Sequence, residues 1–124
     1  VSTVAKAVII DQKDRVLLLK RSNYLKKFAG AWDLPGGHLK EDESLIAGLE
    51  REVFEESGLK IEDPVFLTKI DNLNFFYCNY DSSEIKLSHE HVHYKFFDKK
   101  DLDPSEKFQR VALGALKKRE FEND

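Results

Sequence analysis

Three glutamates, Glu52, Glu55 and Glu56, are spaced i, i+3, i+4 inside a helical pattern that runs from Ser44 to Ser57. Residues at that spacing are neighbours on a helix surface. At about 100° per residue they share an arc of about 100°, beside the core face of Leu45, Ile46, Leu49 and Val53. Carboxylates crowded in this way repel one another, and near a helix C-terminus the dipole opposes them further. A bound cation offsets both effects, and donors that are all oxygen suit a hard one, Mg²⁺ or Mn²⁺. The same spacing also fits a solvated acidic face. Two glycine features point to a ligand. Gly48 lies one turn before Glu52 on the same arc, and a mid-helix glycine costs about 1 kcal/mol relative to alanine, so room for a ligand or for another backbone is expected above the carboxylates. Gly36-Gly37, ahead of the helix, lets backbone approach a ligand closely, although a simple turn explains the pair equally well.

The elements that must hold this helix read as follows. Val4 to Ile10 and Arg15 to Leu19 are apolar runs joined by the turn cluster Asp11-Gln12-Lys13-Asp14, a predicted hairpin. Ser22 to Ala31 reads as a loop. Ser44 is the expected N-cap of the carboxylate helix, and Gly58 its C′ glycine. Val65 to Ile70 and Leu73 to Tyr80 read as strands joined at Asp71-Asn72, and Asp81 to His89 as a polar loop. Val92, Tyr94 and Phe96 alternate with His93 and Lys95, as in a half-buried strand. Asp103-Pro104-Ser105-Glu106 reads as a capping box with Asp103 at the N-cap. Phe108, Val111, Ala112, Ala115 and Leu116 then give one apolar helix face, and the charged tail from Lys117 to Asp124 is expected to fray. The order ββ–α–ββ–β–α predicts an α/β fold in one domain over residues 1–124: a mixed β-sheet flanked by helices.

Gly37, five residues, Glu43, seven residues, then Arg51-Glu52-Val53-Phe54-Glu55-Glu56-Ser57-Gly58-Leu59 resembles the Nudix box, G-x5-E-x7-R-E-U-x-E-E-x-G-U with U aliphatic, at every specified position. Trp32-Asp33-Leu34-Pro35-Gly36 is similar to the usual lead-in. The resemblance implies an α/β/α sandwich and a Mg²⁺- or Mn²⁺-dependent pyrophosphohydrolase acting on a nucleoside diphosphate linked to another group. It implies that Glu52, Glu55 and Glu56 ligate the metal together with the Gly36 carbonyl. Arg51 would orient the glutamates, and Glu43 would brace the loop-to-helix junction. The catalytic base would be Glu55, Glu52 or a glutamate on a later loop. Glu90, in Ser88-His89-Glu90-His91, fits that last place and is also a candidate metal ligand.

Other candidates carry less. Arg21, at the end of the second strand, stands where the resemblance implies a phosphate-binding cation, and a solvated strand end explains it equally well. Tyr77, in the run Phe75-Phe76-Tyr77, is a candidate substrate contact, although alternation assigns most of that run to the core. His89, His91 and His93 alternate along a polar strand face, and a zinc site is the less favoured reading because no HExxH pattern or cysteine ligand accompanies them. Cys78 reads as structural.

Composition bounds the partners. With 20 basic and 23 acidic residues the net charge is −3, and there is no basic block. This argues against a DNA or RNA coat protein but not against a nucleotide substrate. The single cysteine excludes an intramolecular disulfide. No apolar run reaches the roughly 18 residues of a membrane span. No signal-peptide pattern is present, so the expected compartment is the cytoplasm. The short length resembles the MutT-like group, which releases a nucleoside monophosphate and pyrophosphate from a (d)NTP or modified (d)NTP. Dinucleoside polyphosphates, ADP-ribose or nucleotide sugars, and RNA 5′ ends are the alternatives. A nucleotide sensor without catalysis is the alternative from another class, and a homodimer is an oligomeric state that the resemblance allows.

Overall fold

A computed structural model describes residues 2–123. Strands β1 (Val4–Ile10), β2 (Val16–Arg21), β3 (Trp32–Asp33) and β4 (Gly36–His38) precede helix α1 (Leu45–Ser57). Strands β5 (Val65–Ile70), β6 (Leu73–Asn79) and β7 (His91–Phe97) follow, then a 3-10 turn over Lys99–Asp101 and helix α2 (Lys107–Glu122).

The β1–β2 hairpin is zipped only at its turn. Ile10 pairs with Val16 there, and Asp11 closes the turn by accepting from the Lys13 and Arg15 amides at 3.0 and 2.9 Å. Beyond that point the strands part. On the inner side β1 pairs with β4 through Val4–Lys6, and β2 pairs with β3 through Leu19 and Lys20. The segment Trp32–His38 is therefore a wedge inside the opened hairpin. On their outer sides β1 runs parallel to β6 and β2 antiparallel to β7, and β5 extends the sheet beyond β6.

Alternation along these strands sorts side chains into two cores. Ala5, Ala7, Ile9, Leu17, Leu19, Phe76 and Cys78 meet Leu49 and Val53 of α1. Val8, Ile10, Val16, Leu18, Phe75, Tyr77 and Phe97 meet Val111, Ala112, Ala115 and Leu116 of α2. The result is an α/β/α sandwich around a mixed sheet, as expected. Fully burying an aliphatic side chain such as Leu49 stabilises by about 1.5–3 kcal/mol, so each helix is fixed mainly by its apolar face.

Several boundaries differ from the expectation. The α2 N-cap is Glu106, whose side chain accepts from the Gln109 amide at 2.9 Å. Asp103 instead caps the preceding turn through the Ser105 amide at 2.9 Å. The helix continues through the charged tail to Glu122, where fraying was expected. Among the described residues, no helix is long and apolar enough to cross a membrane.

Candidate active site

Helix α1 begins and ends where its caps dictate. Ser44 accepts from the Ala47 amide at 3.1 Å, and Gly58, at φ 75°, returns its N–H to Phe54 at 2.8 Å. Between these ends the helix presents its carboxylates to the wedge.

Arg51 is the hub of the exposed half. Its guanidinium donates to Glu43 at 2.7 and 2.9 Å, to Glu52 at 2.9 Å, to Glu55 at 2.9 Å and to the His38 carbonyl at 3.1 Å. Glu43 also accepts from the Lys40 amide at 2.8 Å. Arg51 and then that amide hold the Glu43 carboxyl down at about 2, and the arginine is itself raised by its hydrogen bond to Glu43. Glu55 is the most open of the three helix carboxylates, with its side chain 49% exposed. The Glu52 carboxylate rests on Gly37, and a Cβ at Gly37 would stand 2.5 Å from Glu52 Oε2.

Glu56 is different. It is buried, and its Oε1 accepts from the Gly36 amide at 2.9 Å. Burial raises its carboxyl to about 7, against the opposing pull of the nearby Lys6 charge and the Gly36 N–H. Three glutamates of similar spacing thus have three environments: open, resting on glycine backbone, and buried.

Behind Gly36 lies a second polar group, centred on Lys6 and Asp33, that sequence reading did not bring together. Lys6 donates to Asp33 Oδ1 at 3.0 Å and to the Leu34 and Gly36 carbonyls at 3.1 and 3.2 Å. The other Asp33 oxygen lies 3.5 Å from Arg21 Nη1 and 3.7 Å from His91 Nε2. Burial pushes Asp33 up, but Lys6 and His91 outweigh it and hold the carboxyl below its ordinary value. Both ring nitrogens of His91 and the Ser88 hydroxyl are buried without a hydrogen-bond partner. His91 is thus turned inward rather than lying on a polar strand face, whereas His93 is exposed. The sequence signal for Lys6 was its place as a lone lysine in the otherwise apolar β1.

The remaining candidates separate. Arg21 joins the cluster through Asp33 and is tied to its own loop by the Lys27 carbonyl at 3.2 Å. The loop carrying Glu90 is pinned to the end of α1, with Lys86 N donating to Ser57 O at 2.8 Å and Ser88 N to Glu56 O at 3.1 Å. Glu90 is half-buried, and its carbonyl accepts from Ser22 N at 2.8 Å. Tyr77 is not brought to the carboxylates. Its ring is buried on the α2 face of the sheet, and its hydroxyl donates to Glu122. Gly48 does not leave open space for a ligand: a Cβ there would stand 2.5 Å from Leu39 Cγ.

The donor set suits a hard divalent cation: carboxylates at Glu52, Glu55 and Glu56, with glycine backbone between them. Among the described residues, no three acidic, histidine or cysteine side chains stand together as a formed metal centre. Here Arg51 holds the Glu52 and Glu55 oxygens instead. The residue types fit a cation, and Gly37 provides the cradle that any side chain would fill.

The family model described as NUDIX domain matches residues 2–121. The m7GpppN-mRNA hydrolase NUDT17 of Bos taurus is 43% identical over 61 residues, which are 48% of this chain and 20% of that protein. The 8-oxo-dGDP phosphatase NUDT18 of Homo sapiens is 35% identical over 65 residues, 52% of this chain and 20% of that protein. The match therefore spans about a fifth of the length of each of these relatives. The crystal structure of the MutT protein from Methanosarcina mazei Go1 is 28% identical, with a TM-score of 0.73, and the match covers 99% of this chain and 95% of that one. On the box, the fold and the family match together, the chain belongs to the Nudix family.

Proposed function

We propose that this chain hydrolyses a phosphoanhydride bond of a nucleoside diphosphate derivative with the help of Mg²⁺ or Mn²⁺. The observation that carries the reading is the meeting of Glu52, Glu55 and Glu56 with Gly36-Gly37, tied together by Arg51. A bound divalent cation supplies neutralisation for the phosphate oxygens and acidifies water. Glu52, Glu56 and the Gly36 carbonyl would hold it, with Glu90 as a further ligand from the adjoining loop.

Glu55 is the favoured base, ahead of Glu52 and Glu90, because it is the most open of the three clustered glutamates. It takes the proton of the attacking water while a new P–O bond forms and the bridging P–O bond breaks. Arg51 and Glu43 hold the carboxylates in register. Arg21, which lies 3.5 Å from Asp33, would be the phosphate contact.

The favoured substrates are (d)NTPs, and modified (d)NTPs in particular, with a nucleoside monophosphate and pyrophosphate as products. Support comes from the likeness to a MutT protein and from the names of two relatives, m7GpppN-mRNA hydrolase and 8-oxo-dGDP phosphatase, which both carry an altered guanine nucleotide. The test is chromatographic separation of the nucleotide products formed from dGTP, 8-oxo-dGTP, 8-oxo-dGDP, a cap dinucleotide, a dinucleoside tetraphosphate and ADP-ribose, with Mg²⁺, with Mn²⁺ and with EDTA. Fastest turnover of an altered dGTP, abolished by EDTA, is expected. Binding without turnover across the panel would make the chain a nucleotide sensor.

A further inference from the structure

Lys6 interrupts an apolar strand, and its side chain is only 10% exposed. A buried ammonium is unfavourable unless it is paired and fully hydrogen-bonded. This one is: it has three protons, and its acceptors are the Asp33 carboxylate and the carbonyls of Leu34 and Gly36. The Nζ also lies 5.4 Å from the centre of the Phe108 ring. An aliphatic side chain would fill the same place against Phe108 with no charge to bury, so packing alone does not call for a lysine.

The acceptors lie on one short turn between β3 and β4, and their order along the chain matters. The Leu34 carbonyl belongs to the peptide unit just before Pro35–Gly36, and the Gly36 carbonyl to the unit just after it. Lys6 therefore grips the units on both sides of the peptide whose N–H holds Glu56 at 2.9 Å. That middle peptide is itself tied to β1, because the Pro35 carbonyl accepts from the Ala7 amide at 2.8 Å. Gly36 sits at φ 134°, a region that side-chain-bearing residues rarely adopt, so the turn needs such fixing. Asp33, the third acceptor, is faced by Arg21 of β2 and His91 of β7.

We propose that Lys6 is a positioning residue for the hydrolysis: from the α2 side of the sheet, it sets the orientation of the Pro35–Gly36 peptide and so the placement of Glu56 on the α1 side. The inference rests on the reading of Glu56 as a cation-holding carboxylate. It assigns no contact between Lys6 and the substrate.

The test compares Lys6→Met, an unbranched side chain one atom shorter that lacks the protons and charge, with Lys6→Arg, which keeps the charge. Two quantities are read. The first is hydrogen exchange of the Gly36 amide relative to the Val8 amide in the same sheet, measured by NMR without cation or substrate. Lys6→Met is expected to speed Gly36 exchange by about tenfold more than Val8 exchange. The second is the kinetic split, with kcat falling by about tenfold or more and KM staying within about threefold. Lys6→Arg is expected to recover part of both. Gly36 and Val8 exchange rising by the same factor, with kcat unchanged, would show a merely structural lysine and overturn the proposal. If Lys6→Met does not fold, Asp33→Asn carries the test: selective loss of Gly36 protection supports the proposal, and unchanged Gly36 exchange overturns it. Because exchange is read without turnover, a wild-type chain that hydrolyses nothing would refute the activity while leaving the role of Lys6 decided by the amide.

Discussion

The Gly36 amide and the Glu56 carboxylate join the wedge to helix α1 at 2.9 Å, and the carboxylate so held is buried. One hydrogen bond to backbone does not match what an ionised carboxylate loses by leaving water.

The consequence is a stability profile with two opposite limbs. Burial moves the Glu56 carboxyl from its ordinary 4.5 up to about 7 on folding. Between those values the folded chain keeps a proton that the unfolded chain has lost, so stability falls as pH rises through this window. Glu43 has the opposite sign. Arg51 lowers it from 4.5 to about 2, so its contribution is present above 4.5 and is lost as pH falls toward 2. For these two groups the cation-free chain is most stable near pH 4.5. Glu56→Gln is expected to flatten the upper limb, making the variant more stable than the parent at pH 8 by up to about 3 kcal/mol. Urea unfolding in EDTA from pH 3 to 8 checks this, and parallel curves for the two proteins would refute it.

Glu55→Gln should separate chemistry from folding. The side chain is half-exposed and its pair with Arg51 is at the surface, where such pairs contribute about 1 kcal/mol or less. The thermal midpoint is expected to stay within a few degrees. As the favoured base, Glu55 is expected to carry about 10²–10⁴ in kcat. Steady-state kinetics with Mg²⁺ on the best substrate of the panel reads the effect, and a kcat close to that of the parent would move the base to Glu52 or Glu90.

The two adjacent glycines should respond differently to alanine. At Gly36 a Cβ would stand 2.7 Å from Lys6 Cα, and φ is 134°. Both obstacles are backbone, so Gly36→Ala is expected to destabilise by more than about 2 kcal/mol. At Gly37 the obstacle is the end of the Glu52 side chain, which can swing aside. Gly37→Ala is expected to fold, with a near-normal midpoint, and to lose about tenfold or more in kcat because Glu52 is displaced. Equal loss of stability in both variants would refute the distinction.

Much of this was legible in the sequence because it is local. Ser44 and Gly58 bound α1 by their own cap chemistry, and the 3.6-residue period set which side of the helix carries the glutamates. What was illegible depends on partners distant in the chain. Strands β3 and β4 have two and three residues, too few for any period to show, and they exist only because β1 and β2 part to receive them. Alternation in Phe75-Phe76-Tyr77 shows that two faces exist but not which one meets α1. Phe76 turns toward that helix, and Tyr77 toward α2. Asp103 and Glu106 both carry a cap-competent carboxylate, and the Ser105 amide decides between them by taking the first. Lys6 shows its role only when the turn at Asp33–Gly36 lies beside it.

The wedge inside the hairpin also sets an order of assembly. Strand β1 is bordered by β4 on one side and by β6 on the other, and its parallel partner lies at Leu73–Asn79, far along the chain. A chain emerging from the ribosome therefore carries the whole box before β1 can acquire that second neighbour. Until β6 arrives, one edge of an almost wholly apolar strand is uncovered, and parallel pairing over so long a separation is slow. Truncation between the box and β6 is thus expected to give an aggregating fragment, although every box residue would be present.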